Sequence, residues 1–401
     1  MSTSPERTEM KTFSWFVFGL MSSVTFVGIL SELVPSGILP QLSEGLGIAD
    51  TQVGFLVGVY ALASAVCAIP LVSATLAVNR KKLLLALLIG FALSNIVVAL
   101  SSSYPVIVAC RILGGICAGV MWPMIAAYGT RLVPEDMQGK AITVIMAGNT
   151  LGISIGMPAM TTIGVSFGWR AEFMVLGLLV ATIAVVSHFF LPSVEGARLS
   201  KSNSPLAALR NPGILIVLLL TFLTVTAHYS IYTYITLLVE KIQFPGGIGV
   251  ALLFFGAGSI LSVFGSARYV DAHLRGLIVS MLVTGVVAMA LFLAFAGTPG
   301  VSHVAFFLWG VAFGPLVSMY QAAVSKMVDE AKDVATSVQS SVFNFSIMIA
   351  TWVGGLLLTY FPTSGVKGIV YLALACFVAA IVVALVVSRT MRASPPVVGN
   401  P

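Results

Sequence analysis

The amino-acid sequence predicts an all-α polytopic membrane protein, with twelve transmembrane helices arranged as two pseudo-symmetric bundles of six. Composition is the first reason: 58% of the 401 residues are hydrophobic and 8% are charged, and the mean hydropathy is +1.06. Soluble domains carry roughly a quarter charged residues, so a soluble protein is excluded. The apolar runs are continuous, as in 83–100, whereas the strands of a membrane barrel alternate apolar and polar residues. Helices are therefore predicted.

The second reason is the number of apolar runs that are long enough to cross a bilayer, which takes about 20 residues of helix. The polar segment 1–11 leads into the first run, and no small-residue cleavage site follows it, so we expect this span to stay in the mature chain. Polar loops separate the later runs. The predicted spans are 13–39, 51–77, 83–100, 105–130, 139–164, 171–191, 213–239, 248–267, 276–296, 301–325, 334–360 and 368–388.

The distribution of basic residues supports this count independently. Sixteen of the 20 Lys and Arg residues fall in the termini and the even-numbered loops, three fall in the odd-numbered loops, and Arg111 falls inside a span. Basic loops stay on the cytoplasmic side, so both termini are predicted to be cytoplasmic, in a bacterial inner membrane. The net charge of +6 then reflects topology and not nucleic-acid binding. The four cysteines lie in apolar runs, which indicates neither a disulfide framework nor a metal site.

The third reason is an internal repeat at an offset of 195 residues. The longest polar stretch, 192–212, is predicted to be a cytoplasmic linker between an N-terminal bundle, 1–191, and a C-terminal bundle with a short tail, 213–401. The offset places six residues of the first half on identical or similar residues of the second. These pairs are Arg80 and Arg275, Gly115 and Gly310, Gly119 and Gly314, Arg131 and Lys326, Glu135 and Glu330, and Asn149 and Asn344.

Several strings in the sequence resemble one transporter family. They are ELVPSGILP from Glu32 to Pro40, YAL from Tyr60, RILGGICAG from Arg111 to Gly119, GWRAEF from Gly168 to Phe173, and the run 333–355 with its paired glycines. They are similar to the bacterial drug/proton antiporter branch of the major facilitator superfamily, including its sugar-efflux, purine-efflux and chloramphenicol-exporter members. The resemblance covers nearly the whole chain. It implies two parallel halves with the substrate site between them near the membrane midplane.

The resemblance also implies gating groups in two equivalent cytoplasmic loops. The loop between spans two and three keeps the basic run that includes Arg80 but lacks the family's usual Asp. The loop between spans eight and nine keeps Arg268, Asp271 and Arg275, which the resemblance identifies as a latch between the halves. A solvated cluster of loop charges is the alternative interpretation.

Span five carries glycines at intervals of four residues, where the family's antiporter motif usually has Gly-Pro followed by paired small residues. The glycines are Gly148, Gly152 and Gly156, and Pro158 follows them. Such a small-residue stripe lets another helix approach closely. We predict a mechanical role in gating, in which two packed helices rock against each other, and no contact with substrate.

Glu32 and Arg111 are ionisable groups inside apolar spans, where such groups are costly by a few kcal/mol or more. Each lies seven residues from the outer end of its predicted span, or about 10 Å at 1.5 Å per residue. The matching depth permits an ion pair or a shared water-filled cavity. If substrate or a conformational change separates the pair, the carboxyl is free to take a proton, which is a coupling mechanism in outline. A permanent structural ion pair is the alternative.

His228 is a titratable group at nearly the same level of the seventh span as Glu32 is of the first, because the repeat offset carries Glu32 to the preceding residue, Ala227. It titrates near physiological pH and is a candidate for proton coupling. A histidine that only hydrogen-bonds a neighbouring helix is the alternative. Spacings of three and four place it in a polar stripe on one helix face, which consists of Thr221, Thr224, His228 and Tyr232.

Further polar and aromatic side chains in the spans are candidates for substrate binding. Trp122 lies eleven residues after Arg111, about three helical turns, and so shares its face; an interfacial tryptophan is the alternative. The amides and hydroxyls serve equally well in helix-to-helix hydrogen bonds. The full set of candidates is Trp122, Asn149, Thr224, Tyr232, Tyr320, Gln321, Ser341 and Asn344.

These observations predict a secondary transporter and not an enzyme, since no phosphate-binding loop, metal cluster or catalytic triad is found in the sequence. We expect a monomer in the lipid bilayer that exports a small drug, sugar or nucleoside-like compound by alternating access, in exchange for protons. No cofactor is expected. A proton-independent facilitator, or a symporter of a small polar metabolite, is the alternative function.

Overall fold

The computed structural model describes residues 14–134, 137–196, 210–267, 269–327 and 332–386. Within these ranges the chain is helical and contains no strand. Twelve of the described helical segments are long and apolar enough to cross a membrane. The predicted fold class is confirmed, and the protein is a multi-pass membrane protein.

The first half places six spans in a series of described helices that has two interruptions. The first span ends at Gly37 and a short helix follows it, while the fifth span contains a π-helical turn. In chain order the elements are α1 (Trp15–Gly37), α2 (Leu39–Leu46), α3 (Asp50–Thr75), α4 (Arg80–Leu100), α5 (Tyr104–Thr130), α6 (Gln138–Leu151), the π-helical turn (Gly152–Gly156), α7 (Met157–Phe167) and α8 (Trp169–Phe190).

The second half repeats this plan with interruptions in its own first and fourth spans. Asn211 caps the first helix by accepting a hydrogen bond from the Gly213 N–H, and Pro212 occupies the first helical position, where a missing N–H has no cost. The elements are α9 (Pro212–Tyr232), α10 (Ile235–Lys241), α11 (Gly247–Ala267), α12 (Val270–Ala294), α13 (Val301–Phe313), α14 (Leu316–Lys326), α15 (Lys332–Tyr360) and α16 (Gly365–Val386).

Three span boundaries differ from the sequence prediction for identifiable reasons. The seventh span was expected to run to residue 239, but α9 ends at Tyr232 and α10 begins after a bend. The first span likewise ends at Gly37 and not at 39. The fifth and sixth spans meet at Gly168, whose φ of +89° is accessible to glycine and strained for other residues, so the sixth begins at Trp169.

The two faces of the bundle are named here by the ends of the chain. The terminal face carries the start of α1 and the end of α16, and the distal face lies at the opposite ends of the spans. Successive spans run in alternate directions, so the distal face includes α2, α10 and the start of α3.

The packing of the two halves repeats with the same 195-residue offset as the sequence. A Cβ atom on Gly115 would meet the Tyr60 carbonyl, and one on Gly310 would meet the carbonyl of Phe255, the residue equivalent to Tyr60. Gly119 and Gly314 lie in the same way against the equivalent residues Ser64 and Ser259. Since these positions admit no side chain, both halves use glycine to bring the fourth span against the second.

The halves contact each other along two pairs of spans. α3 packs along α15, and α11 packs against the π-helical turn and α7. Small residues allow both contacts: Gly58 lies against Thr351, and Gly256 lies against the backbone of Ser154. Near the distal face, α2 and α10 add a smaller contact between the halves. These contacts between the two halves lie in the middle of the bundle and toward the distal face.

The predicted glycine stripe of span five packs on α1. A Cβ on Gly148 would meet the Ser22 carbonyl, and Cβ atoms on Gly152 and Gly156 would meet the side chains of Ile29 and Phe26. Thr25 strengthens this contact, because its hydroxyl donates a hydrogen bond of 2.6 Å to the Ile145 carbonyl. The stripe therefore fixes α6 and α7 against α1 within the first half.

The first residues of the predicted linker are bound to the terminal face of the first half. The Arg80 N–H donates to the Val194 carbonyl over 2.8 Å, and the Tyr128 hydroxyl donates to the Pro192 carbonyl. The Asn79 side chain donates to Glu195 over 3.1 Å. Residues 191–196 thus form part of the N-terminal bundle.

Candidate transport site

Glu32 lies at the interface between the halves. It occupies the distal part of α1 and is 3% exposed. Its carboxylate Oε1 accepts a long hydrogen bond of 3.5 Å from the hydroxyl of Tyr229, which belongs to α9 in the other half. A carboxyl group of the first half is therefore in direct contact with the first span of the second half.

Arg111 is held by backbone carbonyl groups and forms no ion pair with Glu32. Its guanidinium donates to the carbonyls of Leu56 over 3.1 Å and Glu32 over 2.9 Å, and also to the Ser31 carbonyl. In a regular helix the Ser31 carbonyl accepts from the N–H four residues later, but that residue is Pro35, which has none. Arg111 thus replaces a hydrogen bond that proline removes.

Tyr60 completes this group, although it was not among the predicted site residues. Its ring lies 4.3 Å from the Arg111 guanidinium carbon in a cation–π contact. Its hydroxyl is buried and has no hydrogen-bond partner among the described residues. The signal in the sequence was its place in the repeat, since Tyr60 and the equivalent Phe255 are both large aromatic residues. The Arg111 guanidinium, the Glu32 carboxyl and the Tyr60 phenol therefore lie together in the buried middle of the molecule.

His228 lies in an aromatic cluster inside the second half. The imidazole stacks on Phe313 with ring centroids 3.5 Å apart and an interplanar angle of 5°. Phe255, Trp309 and Tyr232 surround it at 5.1 to 5.6 Å. Its Nδ1 atom has no hydrogen-bond partner among the described residues. The role of His228 in proton coupling stays a prediction.

The predicted polar stripe of α9 is buried along its length. Thr221 and Thr224 are fully buried, as is Tyr232. The hydroxyls of Thr224 and Tyr320 form a hydrogen bond of 2.9 Å that joins α9 to α14. The Tyr232 hydroxyl and the Trp309 indole N–H have no partner among the described residues. This region of the second half therefore offers unsatisfied polar atoms within an aromatic surface.

The other candidate substrate residues are distributed over both halves. Trp122 is half-buried, and its ring is 3.8 Å from where a Cβ on Gly28 of α1 would lie. Asn149 is half-buried in α6, whereas Gln321 is exposed on α14. The Asn344 amide donates to the carbonyl of Ser340 in its own helix over 3.0 Å. Ser341 has a buried hydroxyl without a partner among the described residues. Their contacts with substrate stay a prediction.

The predicted gating residues do not form a latch between the halves in the part of the chain that the structure describes. The Arg80 guanidinium donates to the Leu76 carbonyl over 2.8 Å, and Arg275 donates to the Ala384 carbonyl over 3.3 Å. Each therefore bonds within its own half. Arg268 lies outside the described residues, and so does the side chain of Asp271.

Glu172 is a second carboxyl inside a span, and it was not among the predicted site residues. Glu172 is the fourth residue of α8 and is fully buried. A glutamate in the first turn of a helix is common at exposed helix ends. The helical period gives the better indication, because Glu172 precedes the buried residues Leu176 and Val180 by four and eight positions.

A cavity of about 500 Å³ opens between the halves at the distal face. Asp50 of α3 lines it from the first half, and Glu240 and Lys241 of α10 line it from the second. Burial raises the pKa of the Glu240 carboxyl, and the negative charges of Asp50 and Glu44 raise it further. Carboxylates of both halves thus repel each other where the halves meet.

The described residues contain no group of histidine, cysteine and carboxylate side chains that is able to hold a metal ion. The groups gathered in the middle of the bundle are a guanidinium, a carboxyl, phenols and an imidazole. Such groups bind polar organic molecules and exchange protons. Of these groups, the Glu32 carboxyl and the Tyr229 phenol meet across the contact between the two halves.

Comparison with known proteins gives the family. The family model described as Major Facilitator Superfamily matches residues 21–334. A curated relative from Mannheimia succiniciproducens, named "Probable sugar efflux transporter", is 27% identical over 334 residues, which is 82% of this chain and 83% of that protein.

Solved structures share the fold. The crystal structure of a bacterial homologue of the human lysosomal transporter Spinster matches with a TM-score of 0.75 and 15% identity, over 96% of this chain and 100% of that one. A mutant of the nucleoside transporter NupG matches with a TM-score of 0.72 and 14% identity, over 94% and 99% of the two chains. With its twelve spans in two repeated halves, its buried polar centre and this match over most of its length, the chain belongs to the Major Facilitator Superfamily of membrane transporters.

Proposed function

We propose that this transporter exports a small organic compound by alternating access and takes up protons in exchange. The observation that supports it best is the position of Glu32, a buried carboxyl that contacts Tyr229 of the other half. A group at the interface of two moving bodies changes its surroundings whenever they move. Proton binding at Glu32 is therefore coupled to the relative position of the halves.

In this mechanism Arg111 is a positioning residue. Its three hydrogen bonds to backbone carbonyls join α5 to α1 and α3, and they keep a positive charge beside the Glu32 backbone in every state of the first half. Movement of the second half brings the Tyr229 hydroxyl to the carboxylate or takes it away. Loss of that hydrogen bond disfavours the ionised form and favours proton uptake. We propose His228 as a second proton-coupling group.

The curated relative is named as a probable sugar efflux transporter, and we therefore propose sugars as the first substrate class to test. Aromatic faces and unsatisfied hydroxyl or N–H groups suit a sugar ring, whose one face is apolar and whose rim carries hydroxyls. The buried polar atoms of Tyr232 and Trp309 and the candidates Trp122, Asn149 and Asn344 supply both kinds of contact. Drug-like and nucleoside-like compounds remain within the proposed substrate range.

Membrane orientation follows from the basic residues. We infer that the terminal face is cytoplasmic, that both termini are cytoplasmic and that the membrane is the bacterial inner membrane. We also infer a monomer with an N-terminal bundle at 1–191, a linker at 192–212 and a C-terminal bundle at 213–401. The glycines Gly148, Gly152 and Gly156 then move as part of the first half, and we propose that Arg80, Asp271 and Arg275 act at the cytoplasmic gate.

The proposal is tested in everted vesicles with an acidified lumen and a pH-sensitive dye. A panel of sugars, nucleosides and antibiotics is added to vesicles that contain the wild-type protein, Glu32→Gln or the matched control Glu44→Gln, which removes an exposed carboxylate. We expect at least one sugar to release lumenal protons in the wild type and the control but not in Glu32→Gln.

Two other outcomes contradict parts of the proposal. Proton release that is undiminished in Glu32→Gln excludes Glu32 as the coupling group and directs attention to His228. Flux of radiolabelled sugar that is independent of the pH gradient identifies a facilitator, whereas sugar that moves in the same direction as the protons identifies a symporter.

A further inference from the structure

Glu172 is a buried carboxyl that the proposed transport cycle does not use. It lies in the first turn of α8, near the distal face, and is fully buried. A Cβ atom on Gly164 of α7 would meet both the Glu172 Oε2 atom and the side chain of Ile38. Ile38 is the residue at which α1 ends and α2 begins. The carboxyl is therefore covered by α7 and by the α1–α2 junction.

No charged side chain among the described residues forms an ion pair with this carboxyl. The elements packed against α8 are α4, α7, α1 and α2. α7 has no titratable side chain, and α4 carries its basic residues, 80–82, at the terminal end. Glu32 and Glu44 are the carboxylates of α1 and α2, and Arg170 of α8 points to Ser102.

The polar atoms near Glu172 are also without partners. Neither carboxyl oxygen of Glu172 has a hydrogen-bond partner among the described residues, and the same holds for the buried hydroxyl of Thr161, one turn before Gly164. A buried carboxylate without a partner costs several kcal/mol, so a carboxyl in such a place is neutral. A neutral Glu172 is therefore expected in the conformation observed here.

The cover over Glu172 is connected to the contact between the halves. α2 follows Ile38 directly and packs on α10 of the second half at the distal face. If the halves separate there, α2 loses this contact and the α1–α2 junction is free to shift. Water then reaches the carboxyl, which ionises in contact with water.

We propose that Glu172 is a proton-binding site that must be occupied before the distal face closes. The inference rests on the alternating access of the proposed function, but not on Glu32 or on substrate. It assigns the proton as ligand because one carboxyl and one hydroxyl supply too few oxygens for a metal cation, which takes about six. Glu172 differs from Glu32 in place, since it lies inside the first half and not between the halves.

The test measures the distance between the halves at the distal face without substrate or gradient. Spin labels are attached to Ala49→Cys and Thr363→Cys, two exposed positions on the first and second halves, after the four native cysteines are replaced by alanine. The protein is placed in lipid nanodiscs, and the closed-to-open ratio is measured from pH 5 to 9. Binding of one proton changes this ratio by up to tenfold per pH unit.

We expect the closed population of the wild type to fall as the pH rises. Glu172→Gln is expected to stay closed, and the slope of its closed-to-open ratio against pH is expected to be smaller by the contribution of one proton. Glu172→Asp retains the slope. Glu240→Gln is the matched control, because it removes a carboxyl of the distal cavity and leaves the Glu172 contribution. Infrared spectra recorded in a Glu32→Gln background give the independent readout: the carbonyl band of a protonated carboxyl in the closed protein is lost when Glu172→Gln is added.

Three results overturn the inference. They are an unchanged slope in Glu172→Gln, an infrared band that remains when Glu172→Gln is added to the Glu32→Gln background, and a closed population that depends on sodium instead of pH. A misfolded Glu172→Gln is recognised by its elution profile in size-exclusion chromatography. In that case the inference is tested by whether the infrared band of a protonated carboxyl is present in Glu172→Asp. Failure of proton-coupled export in the vesicle assay leaves all these measurements unaffected, so the two proposals fail separately.

Discussion

The hydrogen bond from Arg111 to the Ser31 carbonyl gives the sharpest prediction about stability. We consider Arg111→Lys alone and combined with Pro35→Ala. Lysine keeps the positive charge, but its single ammonium group lacks the planar fork with which arginine reaches carbonyls on both α1 and α3. The Glu32 and Leu56 carbonyls retain the N–H groups of their own helices, whereas the Ser31 carbonyl loses its donor.

The expected magnitude follows from that difference. A buried carbonyl left without a donor costs about 1–3 kcal/mol, and this is the main loss in Arg111→Lys. Pro35→Ala supplies an N–H four residues after Ser31 and restores the missing bond within α1. Interhelical hydrogen bonds in a membrane protein contribute about 0.6 kcal/mol on average and at most about 1.7 kcal/mol. We therefore expect a coupling of about 1 kcal/mol between the two substitutions.

The assay is a double-mutant cycle on the free energy of unfolding, measured by titration with sodium dodecyl sulfate in mixed micelles. Pro35→Ala is expected to stabilise the Arg111→Lys protein more than the wild type, by about 1 kcal/mol. Additive effects, with no coupling beyond about 0.3 kcal/mol, refute the reasoning. Pro70→Ala is the matched control, since it also removes a proline from a span but lies at the terminal end of α3.

Three further predictions concern packing, charge and hydrogen bonding. Gly148→Ala is expected to lower the free energy of unfolding by about 1–3 kcal/mol, because the added Cβ meets the backbone of α1. The control Gly19→Ala has open space around it and is expected to raise the free energy of unfolding by about 0.5–1 kcal/mol. Equal effects of the two substitutions contradict the packing of Gly148 on α1. The raised pKa of Glu240 means that its ionised form is disfavoured in the folded protein. Thermal stability is therefore expected to decrease as the pH rises from the ordinary pKa of a glutamate through the raised pKa of Glu240. Glu240→Gln is expected to remove that decrease. Thr224→Val and Tyr320→Phe are expected to show a coupling of about 0.6 kcal/mol in the unfolding titration, and a coupling of zero shows that the hydrogen bond contributes nothing.

Most of the fold was predictable because lipid imposes simple rules. Apolar length determines the spans, basic residues indicate the sides, and the 195-residue repeat indicates two halves. The helix interruptions were less predictable. The bend after Tyr232 has no proline or glycine nearby, so only tertiary packing accounts for it.

The candidate site was predictable in its residues and not in its contacts. Glu32 and Arg111 are conspicuous in an apolar sequence, but their depths alone suggested an ion pair. The side chain of Arg111 instead meets backbone carbonyls, and Glu32 reaches Tyr229 of the other half. Such choices depend on the rotation of each helix about its axis, which hydropathy does not determine for helices that are apolar on nearly every face.

The binding of residues 191–196 to the terminal face shortens the covalent connection between the two halves. The stretch of sequence between Gly196 and Pro212 is 15 residues long, and a chain of that length spans at most about 50 Å. A break after Gly196 leaves each polypeptide with all of its own bundle, whereas a break before Pro192 removes the segment that the first half binds. The protein is thus suited to expression as two complementary fragments that assemble through their shared helix contacts alone.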